Sequence, residues 1–333
     1  MKQDKQLMLL IRMVSASALF ITMACVLITA VLFNPQLLQR TEPEPAPPVA
    51  EVRKGWAPPS ENKIPSGAEG DLIRYGKELI THTASYLGPK GSVSAITNGM
   101  NCQNCHLESG TKRLGNNYAG VASTYPKFRP RSGSVESVEK RVNDCIERSL
   151  NGKALEAGSR ELQAMVAWIK WVGSEVPKDS IPKGTGIRIP EPMDRAADPV
   201  KGAAIFTQHC SRCHGMNGEG IREPGAAEWR YPPLYGKDSY NTGAGLYRLS
   251  RFAGYVKYNM PNDLATVDKP FLTDEQCWDV AAYVNSMPRP AKDLSADWPD
   301  ISKKPFDHPF GPYADEFSET EHKFGPFRGR IKK

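Results

Sequence analysis

Cysteine is scarce in this chain of 333 residues, seven in all, and its distribution excludes a disulfide scaffold. Four of the seven fall in two tight pairs, Cys102 with Cys105 and Cys210 with Cys213, and the remaining Cys25, Cys145 and Cys277 cannot all pair with one another. A block of basic residues is missing as well. The 43 Lys and Arg are dispersed and nearly matched by 37 Asp and Glu, which argues against a nucleic-acid partner. The net charge of +6 favours anionic partners or substrates without naming one. What remains is an ordinary globular composition, 24% charged, in a length that suits two compact domains plus extras.

The two cysteine pairs carry the chemistry. Cys102-Gln103-Asn104-Cys105-His106 and Cys210-Ser211-Arg212-Cys213-His214 are both C-x-x-C-H runs. Two thiols at this spacing can add to the two vinyl groups of a haem, and the adjacent histidine can then bind the iron. A single run could be a zinc or redox pair; two complete copies, each with its histidine, point to two covalently bound haems c. The expected fold is mainly α, two class I cytochrome c-like haem domains in tandem behind an N-terminal transmembrane helix.

Residues 13–33 are 21 consecutive uncharged and mostly apolar positions, enough for a helix to cross a bilayer. Lys2, Lys5 and Arg12 precede them and only Arg40 follows closely, so the N-terminus should stay in the cytoplasm. A cleaved export signal is the competing reading, but no small-x-small site ends the run cleanly. Either way the body is exported, to the periplasmic side of a bacterial inner membrane. Residues 1–34 are thus an anchor or signal segment, and 35–66, centred on Glu42-Pro43-Glu44-Pro45, a Pro-rich spacer.

The first haem domain is expected over 67–174, a linker over 175–197, the second haem domain over 198–290, and an extended tail over 291–333 that wraps the domains or a partner. Asp71 and Asp198 should cap matching helices carrying Gly76 and Ile80, and Gly202 and Phe206; such Gly positions let one helix cross another closely. The first copy has a loop inserted around 87–98. A backbone carbonyl near Tyr125-Pro126 or Tyr231-Pro232-Pro233 could accept the N–H of each iron-bound imidazole; ordinary turn prolines are the alternative reading. Closing helices follow, Ser159 to Val172 and Thr273 to Ser286, in which Ala167-Trp168-Ile169 aligns with Ala282-Tyr283-Val284.

That alignment locates the sixth ligands. Met260 lies 46 residues after His214 and 22 before Ala282, and a thioether is a common partner to His in cytochromes c. Counting back 22 from Ala167 reaches Cys145. It sits in a segment, 134–150, whose Val135, Val138, Val142 and Ile146 mark the buried face of a helix, with Arg141 one turn before the cysteine and Arg148 and Ser149 one turn after. Cys145 could be a buried structural residue. As an axial thiolate it would give a low-potential iron suited to sulfur chemistry, amid a crowd of cations that includes Lys112, Lys127, Arg129, Arg131, Lys140 and Arg141.

At this point Asn101 through His106, Tyr125-Pro126 followed by Arg131, and Arg141 through Cys145-Ile146-Glu147-Arg148-Ser149-Leu150-Asn151-Gly152 resemble the dihaem thiosulfate dehydrogenases of sulfur-oxidising bacteria, over residues 67–290. The resemblance implies oxidation of thiosulfate to tetrathionate at a haem whose axial ligand is Cys145, with Arg131, Arg141 and Ser149 binding substrate. It also implies that some relatives run in reverse, and that electrons leave through the second haem to a redox-partner cytochrome or respiratory acceptor. Some members carry Lys directly before the second-haem Met; here that residue is Asn259. The rival class is a membrane-tethered dihaem electron-transfer cytochrome without catalysis of its own.

Overall fold

The computed structural model describes residues 8, 13, 17–23, 25, 29, 33 and 50–331, with backbone alone for 50–55. About half of the expected membrane-crossing helix over 13–33 falls outside these residues; the positions within it that are described, 13, 17–23, 25, 29 and 33, are helical. Among the described residues no helix is long and apolar enough to cross a membrane. The chain divides into one unit over residues 1–48 and another over 49–333, and the second carries both attachment runs.

The frame of this second unit is one helical crossing made twice. Helix α1 (Ala68–Thr81) packs on α3 (Arg160–Val172), and α4 (Pro199–His209) on α6 (Asp274–Ser286); α2 (Val138–Arg148) and α5 (Leu249–Asn259) pack against α3 and α6 respectively. Glycine makes each crossing possible. A Cβ on Gly76 would lie 1.8 Å from the carbonyl oxygen of Ala164 and 3.0 Å from Cβ of Trp168. A Cβ on Gly202 would lie 2.0 Å from that of Asp279 and 2.8 Å from Cβ of Tyr283. Trp168 and Tyr283 are the residues that the internal alignment made equivalent. Ile80 and Phe206, four positions beyond each glycine, are buried, as are Leu162 and Trp168 in one core and Trp278 and Val284 in the other.

Local chemistry sets the helix ends. The Asp198 carboxylate accepts from the backbone N–H groups of Val200 and Lys201, with Pro199 opening α4. Thr273 and Gln276 form a reciprocal capping box on α6, and Ser159 caps α3. Asp71 does not cap. Helix α1 begins after Gly67, whose φ of 82° ends the preceding chain, so Asp71 lies in the first turn, where its charge favours the helix dipole.

The cysteine helix is shorter than the sequence pattern implied. Ser137 accepts from Lys140 N–H and starts α2 at Val138, while the residues before it form a hairpin of β2 (Lys127–Arg129) and β3 (Ser134–Glu136). Val135, expected on the buried helical face, faces solvent opposite Phe128; Val138, Val142 and Ile146 are buried.

Two irregular stretches are more ordered than expected. In the 35–66 spacer, β1 (Ala50–Gly55) pairs in parallel with β4 (Ser180–Lys183) of the 175–197 linker, and Ile64 enters the first core. The tail crosses both domains. Asp297 binds Arg148 of α2, Asp307 receives hydrogen bonds from Arg248 and from the Ser250 N–H, and Phe327 packs on Trp278.

Candidate functional site

Each C-x-x-C-H run borders a cavity. The first, of about 250 Å³, is lined by Cys102, Cys105, His106 and Cys145, with Ile80, Val142, Met165 and Ile169 among its apolar walls. The second, of about 530 Å³, is lined by Cys210, Cys213, His214 and Met260. Cys105 borders both, so the first attachment loop is the wall between them. The second domain clamps that loop at two points: the Tyr255 hydroxyl donates to the carbonyl of Asn104 at 2.7 Å, and Glu228 accepts from Asn101 at 3.1 Å while also meeting His82 and Ser85.

Both imidazoles are oriented as iron ligands require. His214 Nδ1 donates to the carbonyl of Pro232 at 2.8 Å, within the proline segment the sequence indicated. His106 Nδ1 donates instead to Asn116, at 2.6 Å, and not to the Tyr125-Pro126 segment. These bonds put the proton on Nδ1 and leave the Nε2 lone pair for a metal. Burial lowers the His214 pKa, which keeps its ring neutral. Tyr118 stacks on His106 with ring centroids 4.7 Å apart. A haem fits this setting: apolar walls, two thiols and a histidine at each attachment run, and at the second cavity a buried Trp229 Nε1–H with no acceptor among the described residues, suited to a haem carboxylate.

Cys145 differs from the other buried cysteines. Burial pushes the thiols of Cys102 up to about 11 and of Cys105, Cys210 and Cys277 up to about 12. At Cys145 burial also raises the pKa, but the Arg141 guanidinium and the neighbouring His106 ring outweigh it and bring the thiol down to about 7. Cys277 is wholly buried in the second core, as its position in the last helix suggested.

Of the residues expected to bind substrate, Arg141 and Ser149 line the Cys145 cavity. Arg131 is not among its lining residues. It lies in the turn after β2, where it donates to the carbonyl of Gly243 at 3.1 Å, stands 3.8 Å from Asp297 and packs over Trp298. Lys127 and Arg129, two cations in the crowd noted in the sequence, line the cavity instead. Their alternation around Phe128 is the signal that could have picked them out. Lys257 is tied to Asp274 at 2.8 Å and to the carbonyl of Leu272, which leaves Met260 as the sulfur at the second cavity.

Comparison with known proteins agrees with this division. Residues 93–177 match the SoxA/TsdA cytochrome c domain, and residues 199–288 match cytochrome c. With the two attachment runs, they define a tandem dihaem c-type cytochrome, each domain carrying one covalently bound haem c. A thiosulfate dehydrogenase of Stutzerimonas stutzeri is 35% identical over 71% of this chain and 73% of its own. One of Allochromatium vinosum is 36% identical over 70% and 83%. The solved thiosulfate dehydrogenase TsdBA of Marichromatium purpuratum superposes with a TM-score of 0.65 at 30% identity, covering 75% of this chain and 52% of that longer one. The chain belongs to the thiosulfate dehydrogenase family.

Proposed function

We propose that the protein oxidises thiosulfate in the Cys145 cavity. Two dianions join through their sulfane sulfurs into one tetrathionate dianion, and two electrons are released. The observation that carries this reading is the company Cys145 keeps: its thiol, brought down to about 7, shares one cavity with His106, Arg141 and Ser149. His106 and Cys145 would hold the first haem iron, and His214 and Met260 the second. Held by these residues, the haems would supply one-electron acceptance and a route for the electrons to an external redox partner.

The chain's own residues do the rest. Arg141 and Ser149 receive the sulfonate oxygens by charge-assisted hydrogen bonds, which leaves the soft sulfane sulfur toward the thiolate of Cys145. Arg131 acts from behind, through its contacts with Gly243 and Asp297, by bracing the turn that follows β2. The uncharged run over 13–33, with basic residues before it, would anchor the protein at the outer face of the inner membrane.

The test is thiosulfate-dependent reduction of an artificial acceptor by the haem-loaded protein, with tetrathionate quantified and Cys145→Ala run in parallel. Turnover that disappears with the cysteine is expected. Full turnover in Cys145→Ala would refute the catalytic role of the thiol, and inactivity of the unmodified protein in both directions would leave the electron-transfer cytochrome.

A further inference from the structure

The proposed reaction brings two dianions into one cavity, and Arg141 with Ser149 accounts for only one. In β2 the side chains alternate: Phe128 faces solvent, 48% exposed, while Lys127 and Arg129 point the other way and line the Cys145 cavity. The strand ends at Arg129, which is why Arg131, next in the same alternation, is carried off into the turn. Among the described residues the cavity is lined by three cations, Lys127, Arg129 and Arg141, and by no carboxylate. Glu136 is the acid that meets Arg129, and it compensates weakly. Its Oε2 is 3.9 Å from Arg129 Nε, and its Oε1 accepts from Ser132 at 2.7 Å. The Lys127 ammonium lies over the Tyr125 ring, 5.6 Å from its centre. Burial and the repulsion of Arg129 and Arg141 lower its pKa.

We propose that Lys127 and Arg129 form a second oxyanion subsite, which takes the sulfonate end of the second thiosulfate and, after coupling, one end of tetrathionate. This rests on the thiosulfate-oxidising reading and deepens it. The coupling forms one sulfur–sulfur bond and breaks none; the two electrons go to the two haems, and no proton is exchanged. Placing Arg141 at one end and the Lys127–Arg129 pair at the other offsets the repulsion between dianions that would otherwise keep the sulfane sulfurs apart. A haem carboxylate has the same chemistry as a sulfonate, so the experiment must separate the two.

Fully oxidised holoprotein cannot reduce tetrathionate without a donor, so calorimetric titration with tetrathionate reads binding alone. Lys127→Gln combined with Arg129→Gln is expected to weaken tetrathionate by about tenfold or more and to raise the KM for thiosulfate while kcat changes less. Arg129→Lys should recover part of both. The first-haem spectrum and reduction potential should stay as in the unmodified protein, which also shows that the variants fold. Unchanged tetrathionate affinity and KM in the double variant, with the unmodified protein active, would overturn the subsite alone. A shifted potential or lost haem with unchanged tetrathionate affinity would assign the two cations to a haem carboxylate and overturn it too. An unmodified protein that neither turns over thiosulfate nor binds tetrathionate would overturn the underlying reading.

Discussion

Arg148 and Asp297 meet in a bidentate ion pair, Nη1 to Oδ2 at 2.8 Å and Nη2 to Oδ1 at 2.7 Å, with both side chains almost wholly buried. Arg131 approaches the same carboxylate. Removing Asp297 would strand two buried guanidinium groups. Asp297→Ala is therefore expected to cost on the order of 3 kcal/mol, a fall in Tm of roughly 6–12 °C by thermal unfolding of the haem-loaded protein. A change within error would show the tail to be dispensable for the cysteine helix.

Arg141 lines the Cys145 cavity, and among the described residues no carboxylate lines it to neutralise that charge. Arg141→Gln removes the cation that a sulfonate would meet there, and is expected to raise the KM for thiosulfate by about tenfold or more while the first-haem spectrum stays as in the unmodified protein. An unchanged KM in steady-state kinetics would separate Arg141 from substrate binding.

The tail should loosen in mild acid. Burial holds His308 at about 4, below its ordinary 6.5, so the unfolded chain takes up this proton before the folded one does. Stability from the neutral ring is complete above pH 6.5 and is lost as the pH falls toward 4, a contribution on the order of 2–3 kcal/mol. His308→Gln should flatten the fall in Tm between pH 6.5 and 4, which calorimetry across that range would reveal.

The two crossing glycines admit no side chain. A Cβ on Gly76 or Gly202 would overlap a backbone oxygen, 1.8 or 2.0 Å away, so the helices themselves would have to separate. Gly76→Ala and Gly202→Ala are each expected to cost at least about 3 kcal/mol and to lower the yield of haem-loaded protein. A wild-type Tm in either would mean the crossing has slack.

These features were unevenly legible in the sequence. The haem runs, the Asp198 and Thr273 caps and the Gly76 and Gly202 crossings could be read because their chemistry lies within a few residues. The internal repeat extended that reach to Cys145 and Met260 as residues lining the two cavities. It failed where the copies diverge: the acceptor for His106 is Asn116, on a loop with no counterpart at Pro232. Helical periodicity carried Val135 into a helix that Ser137 does not allow to start so early. Arg131 was identified by type and resemblance, whereas its direction depends on where a three-residue strand ends. The tail has no periodicity to reveal its docking, because it is held by single charges and rings rather than by an apolar face.

The partners of the Arg148–Asp297 pair are 149 positions apart in the chain. During synthesis the helix that carries Cys145 emerges long before its counter-charge, and until then Arg148 remains in water. Contacts of such sequence separation close late. The segment that reacts therefore gains this counter-charge only once the tail has been made and has docked on it.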